Sequence, residues 1–218
     1  MFEIIAVTNR GFCPGGTSEF LGQIKKIAAS GVSAVILREK DLSADEYRSL
    51  AKKVSAICAE NNVRFIAHNY AYVSAHAGAA VRTGAAMFHL PWSAFSETFF
   101  PQTPEWVRTE NLRFGVSVHS AEEARLAVEH GASWLIGGHL FATQSKTGLD
   151  ARGLDFLSEI CRDSPVPVFG IGGINGENIS DVAKTGAAGA CLMSSLMQSP
   201  DPAALVEGLL RRVENQIL

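Results

Sequence analysis

The chain contains no apolar run approaching the ~20 residues that a membrane-spanning helix needs. Its N-terminus has neither the basic nor the apolar region of a signal peptide. A cytoplasmic protein with no membrane partner is expected. Positive charge is also short: 19 Lys and Arg stand against 22 Asp and Glu, for a net charge of −3 and a pI near 6.1. Nucleic acid and anionic membranes both demand a basic surface, so neither is the expected partner. Lys25-Lys26 and Arg211-Arg212 read instead as solvated helix faces. Cysteine is sparse and scattered. Cys13, Cys58, Cys161 and Cys191 form no Cys-x-x-Cys pair, and no histidines stand at zinc-site spacing. Cys58, Cys161 and Cys191 fall on apolar positions and read as small core residues. Only Cys13, in a glycine and proline loop, is expected to be exposed, and no base beside it in sequence makes it a nucleophile.

What is present is a repeated alternation. With 218 residues, 47% of them hydrophobic, the chain can bury a substantial core, and one domain over residues 1–218 is expected. Apolar, β-branched runs predict strands at Glu3–Thr8, Val32–Leu37, Val63–Ala67, Ala85–Leu90, Arg113–Val118, Ser133–Ile136, Val166–Ile171 and Ala188–Met193. Helical spacing predicts helices capped by Thr17 or Ser18, by Ser43 with Glu46 completing a capping box, and by Ser120. Further helices are expected from Leu154, over Gly176–Thr185 and over Pro202–Ile217. Residues Ser96–Glu110 read as irregular, broken by Pro101 and Pro104. Strands buried on both faces and separated by helices are parallel βαβ units. Eight of them in a chain of this length predict an α/β fold, a closed (β/α)8 TIM barrel, with an open doubly wound sheet as the alternative. Closure is favoured because Arg38, Asn69, Ser117, His139, Gly172-Gly173 and Ser194 all follow strands, and a barrel gathers such ends around one mouth.

The densest chemistry lies in Gly137–Gly148, a loop expected at the end of the sixth strand. It carries His139, Lys146 and the hydroxyls of Thr143, Ser145 and Thr147, the inventory of an anionic-substrate site. An imidazole, with an ordinary pKa of about 6.5, suits moving a proton in both directions. Arg38 and Lys40 either clamp an oxyanion or pair with Glu39 and Asp41 on the surface. Gly170-Ile171-Gly172-Gly173-Ile174 offers bare amides ahead of a helix capped near Asn175, and the eighth strand ends in Met193-Ser194-Ser195. Loops after strands seven and eight are where barrels hold phosphate; tight packing is the other reading of the glycines. Ser117 and Asn69 are partners for a heteroaromatic ring or its carboxylate, or else satisfied polar groups at strand ends. His76 and His130 read as surface or structural, His89 as a hydrogen-bonded core residue, and His68 and His119 as nearer the mouth.

In this order the residues resemble the thiamin phosphate synthase and thiazole tautomerase superfamily over nearly the whole chain. The matching pieces are Leu37-Arg38-Glu39-Lys40, Asn69, His89-Leu90, the segment from Gly115 to Ser120, Gly137–Gly148, Gly170–Ile174 and Met193-Ser194. The resemblance implies a (β/α)8 barrel binding a thiazole phosphate, with phosphate near Gly172, Gly173, Met193 and Ser194. It implies substrate contacts at Arg38, Lys40, Asn69, Ser117, Thr143 and Lys146. Synthases of this superfamily couple a hydroxymethylpyrimidine pyrophosphate to the thiazole, using magnesium held by two aspartates. Those positions here are Tyr70 and, by the most direct alignment, Ala94, with Glu97 nearby read as a surface helix residue. Gly138-His139-Leu140-Phe141, the Gly148–Gly153 segment with Arg152, and the Leu90-Pro91 step resemble the tautomerase branch instead; synthases commonly have proline in place of this histidine.

The reaction expected on this resemblance is an isomerisation that aromatises a carboxythiazole phosphate. His139 is the expected catalytic acid and base, with Lys146 and Arg38 balancing the carboxylate and any enolate-like charge. No metal and no organic cofactor is expected. The alternatives are a thiamine-phosphate synthase, a transferase, and a non-catalytic binder of thiazole or thiamin phosphate. In either enzyme Tyr70 would stack on the ring. A homodimer contact is suspected around Phe99-Phe100 and Trp106.

Overall fold

Closure of the sheet rests on one pairing: β1 (Glu3–Val7) runs parallel to β8 (Gly189–Leu192), with Ile5 opposite Cys191. The computed structural model describes residues 1–68, 86–100, 111–143, 146 and 148–217. Between these two strands lie β2 (Ala34–Leu37), β3 (Arg64–Ala67), β4 (Met87–Pro91), β5 (Arg113–Val118), β6 (Trp134–Gly138) and β7 (Val168–Ile171), all paired in sequence order as a closed parallel barrel. The open sheet is therefore excluded. Among the described residues the helices are α1 (Gly16–Ala28), α2 (Ala44–Glu60), α3 (Trp92–Phe99), α4 (Ala121–Glu129), α5 (Gly153–Asp163), α6 (Ile179–Lys184), α7 (Ser194–Met197) and α8 (Pro202–Ile217).

Alternation along the strands sorts side chains into two apolar layers. Ile5, Val7, Ala34, Ile36, Ile66, Trp134, Ile136, Phe169 and Cys191 fill the lumen. Ile4, Ala6, Val35, Leu37 and Leu135 face outward against helix residues such as Phe20, Ile24, Tyr47 and Val54. The expected capping box is present: Ser43 Oγ accepts from Glu46 N, and the Glu46 carboxylate accepts from Ser43 N at 2.9 Å. Among the described residues no helix is long and apolar enough to cross a membrane.

Four local expectations are corrected. The irregular reading of Ser96–Glu110 fails at its start: helix α3 runs from Trp92 through Phe99, because Trp92, Phe95 and Phe99 share one face and Phe95 stacks on Phe99 at 4.4 Å between centroids. The suspected self-contact loses part of its basis. Phe99 is buried edge-on against Phe114, and Phe100 stacks on His130 at 3.7 Å; Trp106 lies outside the described residues. Cys13 is buried rather than exposed, since a 3-10 turn at Arg10–Phe12 folds its loop onto the core, while Cys161 is only partly buried. Helix α6 begins at Ile179, not Gly176, because Asn175–Asn178 is spent on a turn in which the Asn178 side chain accepts from Asn175 N at 2.8 Å.

Candidate functional site

A cavity of about 580 Å³ opens at the C-terminal ends of the strands. Arg38, Lys40, Ser117, His139, Thr143, Lys146, Gly172, Gly173, Met193 and Ser194 all line it. Asn69, Tyr70 and His76 lie outside the described residues. A separate groove between α4 and α5 holds none of these groups.

The choice between clamp and surface pair is decided by Arg10. Glu39 turns inward, accepting from Thr8 Oγ1 at 2.5 Å and from Arg10 N at 3.0 Å, while the Arg10 guanidinium takes Asp41. Thr8 Oγ1 in turn accepts from Arg38 N at 2.9 Å, fixing the backbone from which Arg38 and Lys40 project. Burial raises the Glu39 carboxyl above its ordinary value, against the opposing pull of its hydrogen bonds from Thr8 and Arg10. Arg38, Lys40 and Lys146 are left without a carboxylate partner among the described residues. Burial, then the charges of Arg38 and Lys146, pull the Lys40 ammonium below its usual value. Cations held together with no ion-pair partner attract an anion, and an anion would relieve their mutual repulsion.

The cavity floor is neutral and polar. Ser117 lies 2.8 Å from His89 Nε2, so the serine is both a satisfied strand-end group and a wall of the cavity. His89 is buried, as expected. Burial holds its imidazole far below the usual range, with the charge of neighbouring His68 adding to this. His68 also lines the cavity; burial, then Arg38, lowers it to about 4. His119 is tied to Glu123 through Nδ1 at 3.2 Å.

His139 is presented by a continuation of the β6–β7 ladder beyond the strands. Leu140 N donates to Ile171 O at 2.9 Å, and Phe141 N donates to Gly172 O at 3.1 Å. Gly172 (φ 98°) and Gly173 (φ 69°) lie beneath this loop, where a Cβ would stand 2.4 Å from His139 Cβ and 2.7 Å from Ala142 O respectively. Tight packing thus accounts for both glycines, and the same absence of side chains leaves them as bare cavity wall. Arg152 N donates to His139 O at 2.9 Å, and His139 Nε2 lies 3.3 Å from Leu149 O. A carbonyl only accepts, so in the neutral imidazole this contact calls for the tautomer with its proton on Nε2 and its lone pair on Nδ1.

Sequence reasoning missed Gln198, which also lines the cavity, and Asn178, whose Nδ2 donates to Gly173 O at 3.0 Å. The signal for Asn178 was local: asparagines three apart after paired glycines form side-chain turns.

Magnesium of the kind attributed to the synthase branch does not fit these donors. No Asp or Glu lines the cavity among the described residues, and Ala94 is a buried alkyl group in α3. Glu97 sits on the exposed face of that helix, away from the cavity. No acidic residue occurs anywhere between Glu60 and Glu97, which includes the undescribed 69–85 segment. Magnesium in enzyme sites is usually held through one or two carboxylates together with water and substrate phosphate oxygens.

Comparison with known proteins gives a consistent family. The thiamine monophosphate synthase family model matches residues 4–196. A thiamine-phosphate synthase of Desulfitobacterium hafniense is 32% identical over 211 residues, covering 96% of each chain. Thiamine-phosphate synthase 2 of Streptococcus pneumoniae is 29% identical over 218 residues, covering 98% of this chain and 96% of that one. The solved structure of a thiamine phosphate pyrophosphorylase from Pyrococcus furiosus superimposes with a TM-score of 0.78 at 25% identity, covering 100% of this chain and 98% of the other.

Proposed function

From a chain that belongs to the thiamine monophosphate synthase family, we propose an isomerase that converts a carboxythiazole phosphate to its aromatic tautomer. The observation that carries this reading is the donor set: three cations without a carboxylate partner among the described residues face the cavity together with His139, and no carboxylate stands among its described walls. Phosphate would sit on the amides of Gly172, Gly173 and Ser194, beside Met193. Arg38, Lys40 and Lys146 would meet the carboxylate, with Ser117, Thr143 and Asn69 completing the ring contacts. His139 Nδ1 would take a proton from the ring and return it to the exocyclic carbon, so the double bond moves into the ring and no atom is gained or lost. The protein supplies anchoring, orientation and proton transfer.

A second reading is favoured by the relatives, which are named thiamine-phosphate synthases. On descent alone, coupling of a pyrimidine pyrophosphate to the thiazole comes first. The two reactions leave different products. Purified protein would receive hydroxymethylpyrimidine pyrophosphate, thiazole phosphate and magnesium in one assay, and the non-aromatic carboxythiazole phosphate in another, followed by NMR. The expected result is aromatisation that survives EDTA, with no pyrophosphate released. Chelator-sensitive pyrophosphate release without aromatisation would overturn the isomerase in favour of the transferase. Ligand binding with neither turnover would overturn it in favour of a binding protein.

A further inference from the structure

The cavity has a cationic side and an uncharged one. Its cations, Arg38, Lys40 and Lys146, come from the loops after β2 and β6, whereas the loops after β7 and β8 bring no charged side chain to it. The polar side chains from those two loops are Asn175, Ser194, Ser195 and Gln198, standing with the backbone of Gly172 and Gly173. A phosphate seated there meets only neutral donors. Its hold then depends on how many N–H and O–H groups converge on it.

Gln198 is placed to add to that number. It closes α7 with helical backbone angles (φ −101°, ψ −3°), and its N–H donates to Ser194 O at 2.9 Å, one turn back. The two residues therefore share a face. Side chains on a helix lean toward its N-terminus, which carries the Gln198 carboxamide over the Ser194 turn and into the cavity wall. The backbone on either side is pinned from α1: Gln23 Nε2 donates to Leu196 O at 2.8 Å and to Ser199 O at 2.9 Å. The β7 loop is fixed as well. Asn178 Nδ2 donates to Gly173 O at 3.0 Å, and its Oδ1 accepts from Asn175 N at 2.8 Å. Gln198 makes no side-chain hydrogen bond among the described residues, and a carboxamide offers two N–H donors where a serine offers one O–H.

We propose that Gln198 is a specificity-determining residue for phosphate, donating from its carboxamide to the phosphate ester held by Gly172, Gly173 and Ser194. The place of the phosphate rests on the functional reading above. The choice between isomerase and transferase does not enter, because both take a thiazole phosphate. A methionine at this position would keep nearly the same shape and offer no donor, and a glutamate would only accept and would repel the dianion.

The test compares, by calorimetry at fixed ionic strength, the affinity of the protein for a thiazole phosphate and for the same thiazole with a free hydroxyl in place of the ester. The ratio of the two affinities is the readout. Gln198→Met should lower it roughly tenfold, the low end for a hydrogen bond to a charged group because Gln198 is exposed. Gln198→Glu, which adds a negative charge, should lower it further. Melting temperatures establish that each variant is folded. An unchanged ratio in Gln198→Met overturns the proposal, and so does an equal loss of affinity for both compounds, the mark of a structural role. A wild type that does not favour the phosphate overturns the phosphate site and the functional reading with it, whereas an unchanged ratio beside a wild type that does favour it removes Gln198 alone.

Discussion

At the residue scale the site is a contest over who neutralises whom. Sequence placed Arg38 and Lys40 beside Glu39 and Asp41, and could not say whether the four would pair. Arg10, distant in sequence, occupies both carboxylates with its backbone and side chain, and so leaves the other two cations to the cavity. Cys13 went the opposite way: a loop rich in glycine looked exposed, but it folds onto the core. Burial, with Glu19 and Glu39 adding, raises its thiol pKa, which argues against a reactive thiolate. His139 was singled out from its loop, and the structure adds the Leu149 carbonyl against Nε2. Replacing His139 with Gln should lower kcat by roughly a hundredfold or more while leaving substrate affinity nearly unchanged. Steady-state kinetics beside direct binding measurements would show this, and wild-type turnover in the variant would remove His139 from the mechanism.

At the scale of elements, strand ends position the chemistry, and glycine permits their close approach. The cores of the strands were legible because runs such as Ala34–Leu37 are apolar on both faces. Helix α3 was not, since its aromatic spacing is short and follows a proline. Gly172 shows how element and site are joined: its positive φ and its contact with His139 both require glycine. Gly131 (φ 92°) shares the backbone conformation, but a Cβ there would meet nothing within 4 Å. Gly131→Ala should therefore cost about 1–2 kcal/mol of stability with activity retained. Gly172→Ala should cost more and also lower turnover, by about a hundredfold for a displacement near 1 Å at His139. Thermal unfolding and kinetics on both variants check the pair; equal activity in the two would show that the Gly172 contact does not position His139.

At the scale of the whole molecule, the barrel holds two neutral imidazoles, His68 and His89, whose folded pKa values lie below the ordinary 6.5, His68 at about 4. The unfolded chain therefore takes up protons first as pH falls. Their contribution to stability is complete above about pH 6.5 and is lost as pH falls toward and through the folded values. Glu39, whose folded pKa is raised, opposes this by binding its proton more readily in the folded state. With two groups against one, the melting temperature should drop between about pH 6.5 and 4, and His68→Asn should flatten that drop. A profile identical to wild type in the variant would dismiss the role of His68. The eightfold alternation and the order of polar groups after strands were written in the chain, because burial on both faces and helical spacing are local patterns. So was the lack of acidic residues from Asn61 to Ser96. Which charges are paired, which group stands against each imidazole, and that Gly115 seats an indole beside His89 were decided only in the closed barrel. Those outcomes depend on contacts between distant strands, which no local pattern contains.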